Sequence, residues 1–178
     1  GRPFLTYLLA QLTTAGVRQV VICTGYLGDQ ISATFGDLYG NMRLLYSQES
    51  SQLGTAGALR LALPLFGSDL VLVMNGDSYC DVDLRFFWQR HGERKAKGSI
   101  VLAETGDVGP FGSVEVGSTG QVIGFQEKNT TKRAGWVSAG IYLVASSLIE
   151  TIPDGGVVSL EHTMFPAWIG HGLYGFKT

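Results

Sequence analysis

The sequence is short of cysteine, of net charge and of long apolar runs, and each shortage excludes a class of protein. Two cysteines, Cys23 and Cys80, in 178 residues are too few for a disulfide-stapled scaffold, and we expect two buried free thiols. A net charge of −2 argues against a nucleic-acid partner, which would require a basic face. No apolar run reaches the ~18 residues of a membrane span. No leader-like segment opens the sequence, so we expect a cytoplasmic protein without a membrane partner.

Apolar residues and glycines are abundant instead. The sequence is 45% hydrophobic and contains 25 glycines, which predicts a globular fold with a sizeable core and many tight turns. A length of 178 residues suits a single domain, and no repeat or linker interrupts it. Both a monomer and a homo-oligomer remain open.

Apolar periodicity divides the chain into two patterns. In the first half, helices and strands alternate, which is typical of a doubly wound α/β sheet. The predicted helices are at 4–15, 29–35, 54–63 and 84–94, and the strands are at 19–24, 42–47 and 70–74. In the second half, strands are predicted at 99–103, 112–116, 121–125 and 136–144, with a hairpin turn at 117–120 and helices at 146–151 and 160–168. We therefore predict an α/β fold, Rossmann-like first and mixed afterwards.

Three polar segments directly follow predicted strands. They are Thr24-Gly25-Tyr26, the loop at 47–55 and Asn75-Gly76-Asp77-Ser78. In an open α/β sheet, ligands bind beyond the carboxyl ends of the strands. We therefore expect these three segments to share one edge of the sheet and to form the binding site.

Asp77 follows the most apolar of the predicted strands. A carboxylate at the binding edge is a good ligand for Mg²⁺, which prefers one or two carboxylates together with substrate phosphates. An aspartate after a glycine also forms turns and caps helices, and the residues alone leave both interpretations open. Asp83, just before the predicted helix at 84–94, is expected to be the N-cap of that helix.

Gly54 and Gly57 open the predicted helix at 54–63. Such small residues would leave N–H groups free and turn the positive end of the helix dipole toward a phosphate or a base. Close packing of the helix against the sheet would explain the same glycines. Glu49, in the preceding loop, could accept the two N–H donors on the edge of guanine or could be a solvated loop acid.

Two features of the second half also have two interpretations. Lys128 follows an alternating strand, where its ammonium could hold a phosphate as a point charge or form a surface ion pair. Gly140 lies inside a predicted strand, which indicates either the close approach of a ligand or a simple β-bulge.

Seven short segments, taken in their order along the chain, carry a family resemblance. They are Gly1-Arg2-Pro3-Phe4-Leu5, Thr24-Gly25-Tyr26, Leu53-Gly54-Thr55-Ala56-Gly57, Asn75-Gly76-Asp77-Ser78, Phe125-Gln126-Glu127-Lys128, Ser138-Ala139-Gly140-Ile141-Tyr142 and Ser159-Leu160-Glu161. In this order they resemble the sugar-phosphate nucleotidyltransferase family over essentially the whole chain. The resemblance implies a Rossmann-like nucleotidyltransferase fold (glycosyltransferase-A-like), a three-layer sandwich with a mixed central sheet.

The resemblance also implies an activity and the residues that perform it. Such an enzyme joins an NTP to a sugar 1-phosphate and releases an NDP-sugar and pyrophosphate, with Mg²⁺ as cofactor. The implied residues are Asp77 and Lys128 for catalysis, Asp77 for the metal, Glu49, Gly54, Thr55 and Gly76 for the nucleotide, and Gly112, Glu127, Lys128, Ala139 and Gly140 for the sugar. Among these, Glu49 would read the base and Lys128 would bind the sugar phosphate.

Three segments are most similar to one branch of the family, the D-glycero-D-manno-heptose 1-phosphate guanylyltransferases, with mannose-1-phosphate guanylyltransferases as close neighbours. They are Tyr46-Ser47-Gln48-Glu49, Gly54-Thr55-Ala56-Gly57-Ala58-Leu59-Arg60 and Asn75-Gly76-Asp77-Ser78-Tyr79-Cys80. The resemblance therefore implies GTP as the nucleotide and GDP-D-glycero-α-D-manno-heptose as the product.

Parts of the family pattern fall outside the sequence. The Gly-rich signature with its arginine would precede Gly1, and the second metal-binding aspartate would follow Thr178. We therefore expect a single nucleotidyltransferase domain at 1–178 without these segments, and little activity from it alone. Ser138 stands where the family usually has asparagine, which alters a sugar contact. An inactive binding or regulatory domain and an unrelated Rossmann-like binder remain as alternatives.

Overall fold

The structure is a computed structural model that describes residues 1–126, 130 and 132–178. The described chain divides into two compact units. The first unit comprises Gly1–Asp69 and Ser146–Met164, and the second comprises Leu70–Ala145 and Phe165–Thr178. The expectation of a single domain stays a prediction.

Helices and strands are numbered in chain order. The helices are α1 Leu5–Ala15, α2 Gly28–Phe35, α3 Gly54–Ala62, α4 Leu84–Glu93, α5 Ser146–Ile149 and α6 Phe165–Trp168, with a 3₁₀ turn at Leu63–Leu65 and a π-helical turn at Leu160–Met164. The strands are β1 Gln19–Thr24, β2 Leu38–Tyr39, β3 Met42–Gln48, β4 Leu70–Met74, β5 Gly98–Thr105, β6 Ser113–Val116, β7 Val122–Gln126, β8 Gly135–Ala145 and β9 Leu173–Lys177.

The first unit contains a small mixed sheet with strand order β1-β3-β2. β1 pairs with β3 in parallel, from Gln19 opposite Arg43 to Thr24 opposite Gln48. β2 is a short antiparallel addition that the apolar pattern did not predict, because two residues are too few to show a period. Helix α1 buries Leu8, Leu9 and Leu12 on one face, as its helical spacing predicts.

The second unit is built on a sheet with strand order β4-β8-β5-β9. β8 runs antiparallel to both β4 and β5, and β9 runs parallel to β5. The fully buried side chains of this sheet include Ile100, Leu102 and Leu143. The apolar pattern did not predict β9, because Gly175 interrupts it. An ideal Cβ at Gly175 would lie 2.7 Å from Leu102 Cδ1, so close packing explains the glycine.

A separate hairpin of β6 and β7 belongs to the second unit. Its turn closes where the sequence predicts, since the N–H of Gly120 donates to the carbonyl oxygen of Gly117 at 2.9 Å. Most other predicted helices and strands are confirmed to within two residues at each end. None of the helices in the described ranges has the length and apolar character that crossing a membrane requires.

The expectation of two buried thiols is wrong. Cys23 is exposed and Cys80 is half-buried, and neither forms a disulfide bond. An apolar strand does not by itself fix which of its faces is covered. Neighbouring atoms, including the Ala58 carbonyl oxygen 3.7 Å from Cys23 Sγ, still desolvate that thiol and raise its pKa to about 11, and Glu49 adds to the rise. The reactive thiolate of Cys23 is therefore scarce at neutral pH.

Candidate active site

The carboxyl ends of β1 and β3 meet at one edge of the sheet in the first unit. Thr24 lies opposite Gln48, and the N–H of Glu49 donates to the carbonyl oxygen of Thr24 at 2.8 Å. This confirms that the first two of the three polar segments share an edge. The third, 75–78, lies in the second unit. That it shares the same edge stays a prediction.

Glu49 is half-buried at this edge and is held by the chain around it. Its Oε2 accepts the N–H of Leu53 at 3.1 Å, which closes the loop at 49–53. An ideal Cβ at Gly25 would lie 2.9 Å from Glu49 Oε1, so Gly25 is the residue that leaves room for the carboxylate. Glu49 is therefore held by its own loop, and its role with guanine stays a prediction.

Two backbone N–H groups in the first turn of α3 are hydrogen-bonded within the protein. The expectation of free N–H groups there is wrong for these two. The N–H groups of Ala56 and Gly57 both donate to the carbonyl oxygen of Val158, at 2.9 and 3.3 Å. Gly54 has φ +72°, and an ideal Cβ on it would lie 2.6 Å from that same oxygen. Close packing therefore explains Gly54, but the partner is the segment around Val158 and not a sheet.

The Thr55 hydroxyl is also engaged. It donates to Glu161 Oε2 at 3.0 Å and accepts the N–H of Leu160 at 2.8 Å. Ser159 Oγ donates to the same oxygen of Glu161 at 3.1 Å. Any contact of Thr55 with a nucleotide would therefore have to use its backbone, its methyl group or the remaining lone pair of the hydroxyl.

Asp77 lies in the second unit, three residues beyond the end of β4, and its carboxylate is exposed. Ser78 Oγ is buried and has no hydrogen-bond partner among the described residues. Asp77 does not cap α4, because the cap is Asp83, whose Oδ1 accepts the N–H groups of Arg85 and Phe86 at 2.9 and 3.0 Å. This confirms the interpretation of Asp83 and leaves the Asp77 carboxylate available to a ligand.

Ala139 and Gly140 form a bulge in β8 next to the Asp77 loop. The register of β5 against β8 steps from Ile100 opposite Tyr142 to Leu102 opposite Ser138, so β8 has extra residues there. Gly140 has φ +74°, and an ideal Cβ on it would lie 2.7 Å from Ser78 Oγ and 3.0 Å from Asn75 Nδ2. The bulge interpretation is confirmed, and it brings Ala139 and Gly140 beside the loop of Gly76 and Asp77.

Ser138 stabilises this bulge from within. Its Oγ accepts the N–H of Gly140 at 3.3 Å and donates to the Tyr142 hydroxyl oxygen at 3.1 Å. In this chain Ser138, the residue before Ala139, therefore has two structural hydrogen-bond partners, Gly140 and Tyr142.

Gly112 immediately precedes β6, at the end of the hairpin where Ser113 lies opposite Gln126. Glu127 and Lys128 follow Gln126 and lie outside the described residues. No sequence signal pointed to Arg133, whose Nη2 donates to Ser113 Oγ at 2.8 Å and also bonds Gln126 Oε1. Arg133 therefore brings a guanidinium to the end of the hairpin where Gly112 precedes β6.

Asp77 fits a magnesium ion as a single ligand. Within the part of the chain that the structure describes, no three His, Cys, Asp or Glu side chains form a metal-binding group. Mg²⁺ commonly binds through one or two carboxylates and completes its shell with substrate phosphates and water. A single exposed carboxylate such as that of Asp77 suits that mode of binding.

Comparisons with known proteins identify the family of this chain. The family model for nucleotidyl transferase matches residues 1–162. A mannose-1-phosphate guanylyltransferase of Mycobacterium tuberculosis is 32% identical over 99% of this chain, and the match covers 50% of that protein. A D-glycero-alpha-D-manno-heptose 1-phosphate guanylyltransferase of Aneurinibacillus thermoaerophilus is 32% identical over 84% of this chain and 64% of its own length. The chain thus spans about half to two thirds of these relatives.

Solved structures agree as well. HddC from Yersinia pseudotuberculosis superposes with a TM-score of 0.88 and 27% identity over 100% of this chain and 77% of its own. The same protein complexed with GMP-PN superposes with a TM-score of 0.85 and 26% identity, again over 100% and 77%. These likenesses confirm the Rossmann-like α/β nucleotidyltransferase fold. The chain therefore belongs to the nucleotidyl transferase family.

Proposed function

We propose that the protein carrying this chain transfers a GMP group from GTP to a sugar 1-phosphate. An oxygen of the sugar phosphate attacks the α-phosphorus of GTP, the bond from that phosphorus to the bridging oxygen breaks, and pyrophosphate leaves with the bonding electrons. The products are a GDP-sugar and pyrophosphate. The attacking group is already an anion, so the reaction needs positioning and neutralisation of charge more than a strong base.

The observation that carries the proposal is the exposed Asp77 carboxylate in a loop whose Asn75 and Ser78 lie against the bulge at Gly140, in a chain of this family. Asp77 would hold Mg²⁺, which would neutralise charge on the phosphates. Ala139 and Gly140 would offer backbone groups to the sugar. This arrangement unites a metal ligand and a sugar-binding surface in one loop cluster.

The nucleotide would lie against the first unit. Gly54 and Thr55 would contact it through the backbone, because the Thr55 hydroxyl is engaged with Glu161 and Leu160. Gly76 would contribute from the loop of Asp77. Glu49 would accept the N–H donors of guanine, and the Leu53 N–H bond holds its carboxylate in a fixed direction for that task. The GMP-PN complex of HddC supports a guanine nucleotide.

The sugar phosphate would meet positive charge at the end of the β6–β7 hairpin. Gly112 and Glu127 would line the sugar, and Lys128 would bind its phosphate. Arg133 adds a second cation near Ser113, which supports an anion at this end of the hairpin. The names of two relatives indicate sugars of the manno series, and we favour the heptose over mannose. The proposal includes a cytoplasmic location and leaves the oligomeric state open.

The test is pyrophosphate release by the full-length protein with Mg²⁺, each of four NTPs, and heptose or mannose 1-phosphate. We expect turnover with GTP and with one manno-configured sugar phosphate. Asp77→Asn should reduce kcat/KM by about a hundredfold or more, without loss of stability because its side chain is exposed.

Asp81→Asn is the matched control, since Asp81 is an exposed aspartate of the same loop. It should retain activity close to that of the wild type. Absence of turnover with every NTP and sugar phosphate would contradict the proposal. Binding of GTP without turnover would identify a binding or regulatory domain instead.

A further inference from the structure

The turn at Gly54 and Thr55 is joined to a distant segment of the first unit through one carboxylate oxygen. Thr55 Oγ1 and Ser159 Oγ both donate to Glu161 Oε2, at 3.0 and 3.1 Å. Leu160 N–H donates back to Thr55 Oγ1 at 2.8 Å. The hydroxyl of Thr55 is therefore both donor and acceptor in a closed set of bonds.

Backbone hydrogen bonds join the same two segments, the turn at Gly54 and Thr55 and the segment that precedes Glu161. The N–H of Val158 donates to the Leu53 carbonyl oxygen at 2.8 Å, and the Val158 carbonyl oxygen accepts the N–H of Ala56 at 2.9 Å. The backbone on either side of Thr55 is thus held by Val158, in the segment that leads into Glu161. Removing the Glu161 carboxylate would leave the hydroxyls of Thr55 and Ser159 without their acceptor.

We propose that Glu161 is a positioning residue for nucleotide binding: it holds Thr55, and through Thr55 it fixes the backbone of the Gly54–Thr55 turn. The inference rests on the proposed function, in which this turn contacts the nucleotide. A carboxylate is a poor direct partner for a triphosphate, because the two negative charges repel each other.

A positioning role and a direct contact predict different responses to glutamine. Glutamine keeps a side-chain oxygen that can accept from Thr55 and Ser159, but it removes the charge. If Glu161 only positions the turn, Glu161→Gln should behave nearly as the wild type and Glu161→Ala should not. If the carboxylate itself binds a metal ion or a ribose hydroxyl, both variants should be impaired.

The experiment measures GTP affinity by titration calorimetry without sugar phosphate, and kcat and both KM values in the complete reaction. We expect Glu161→Ala to raise the Kd and KM for GTP about tenfold, with kcat and the KM for sugar 1-phosphate within about threefold. Thr55→Val, which removes the hydroxyl at nearly constant shape, should have the same effect. The double variant should be no worse than either single variant, because both remove the same bond.

Asp154→Ala is the matched control. Asp154 is an acid of the same segment that pairs with Arg60 in the last turn of α3, at 3.2 Å and with 83% of its side chain exposed. It should leave the KM for GTP unchanged. A Glu161→Ala protein that binds GTP as tightly as the wild type overturns the inference, and so does a Glu161→Gln protein as weak as Glu161→Ala.

Two further outcomes are also decisive. If Glu161→Ala does not fold, Thr55→Val decides the question: unchanged GTP affinity overturns the inference, and a selective rise in KM for GTP supports it. If the wild-type protein binds no NTP, the proposed function fails. That result differs from failure of this inference, in which the wild type binds GTP and the variants bind it equally well.

Discussion

The predicted site residues of the first unit and those of the second unit are held in opposite ways. In the first unit, Glu49, Thr55 and the N–H groups of Ala56 and Gly57 all have partners within the chain. In the second unit, Asp77 is exposed, and Ser78 Oγ has no partner among the residues described. The named groups of the first unit are hydrogen-bonded within the chain, whereas the second unit presents an exposed carboxylate and a hydroxyl without a partner among the described residues.

This difference separates residues that hold a loop in place, such as Thr55, from residues whose polar groups are available to a ligand, such as Asp77. A bonded group such as the Thr55 hydroxyl fixes the backbone, and its replacement should act through geometry. A buried hydroxyl without a partner costs about 1–3 kcal/mol, so the loop of Ser78 should be stabilised by a ligand or water that bonds it. Substitution of a bonded group such as the Thr55 hydroxyl should therefore act through the shape of its loop, and substitution of Asp77 should act on binding directly.

Gly54→Ala should have the largest effect on stability. The new Cβ would require φ +72° and would meet the backbone oxygen of Val158 at 2.6 Å, where neither atom can move without the chain. We expect a loss of about 3 kcal/mol in the free energy of unfolding, measured by urea denaturation. Gly40→Ala is the control, with φ +58° and no atom within 4 Å of the new Cβ. It should cost about 1–2 kcal/mol, and equal losses would contradict the steric explanation.

Gly140→Ala should cost less than Gly54→Ala. Its φ of +74° is equally unfavourable, but the two nearest atoms, Ser78 Oγ and Asn75 Nδ2, can rotate away, which leaves the milder contact with Asn75 Cβ at 3.1 Å. We expect a loss of about 2 kcal/mol. In a Ser78→Ala background, the nearest of these atoms is gone, so the same substitution should cost less. If the cost is the same in both backgrounds, contact with Ser78 is not its cause.

Lowering the pH should destabilise the second unit through His91. We expect this to be the smallest of the three predicted effects on stability. His91 Nδ1 lies 2.8 Å from Ser99 Oγ in the core, and burial lowers the pKa of His91. The unfolded chain therefore takes up this proton at a higher pH than the folded chain does. The stability that His91 contributes is complete above its ordinary pKa of about 6.5 and declines as the pH falls below that value.

Tryptophan fluorescence can follow this change, because Trp88, Trp136 and Trp168 all belong to the second unit. Between pH 7.5 and pH 5.5, the urea midpoint of the fluorescence transition should fall. His91→Gln cannot titrate, so its midpoint should change less over the same interval. An equal change in both proteins would show that another group causes the acid sensitivity.

The fold was largely predictable from local pattern. The ends of β1 and β4 were predicted to the residue, because each is a short apolar run between turn residues. β9 was missed because Gly175 breaks its pattern, and the glycine is required by contact with Leu102 from another strand. The exposure of Cys23 was missed for a related reason, since exposure depends on what lies across the sheet.

The site was predictable as a set of segments but not as a set of contacts. Asp77 and Glu49 were proposed from their places after strands and stay predictions, whereas the cap role of Asp83, predicted from its place before a helix, is confirmed. The bond of Thr55 to Glu161 was not foreseen, because those residues are 106 positions apart and only packing brings them together. Arg133 was missed because it stands in a polar loop without a local pattern.

By itself, the sequence determined the order of helices and strands, the places where polar loops follow strands, and membership of the family. Those properties depend on residues that are neighbours along the chain. Only the tertiary structure decided that the Val158 carbonyl oxygen occupies the N–H groups at the start of α3, and that Gly140 sits in a bulge against Ser78. The physical reason is that each of these contacts joins atoms from distant segments, so it exists only once both segments have packed.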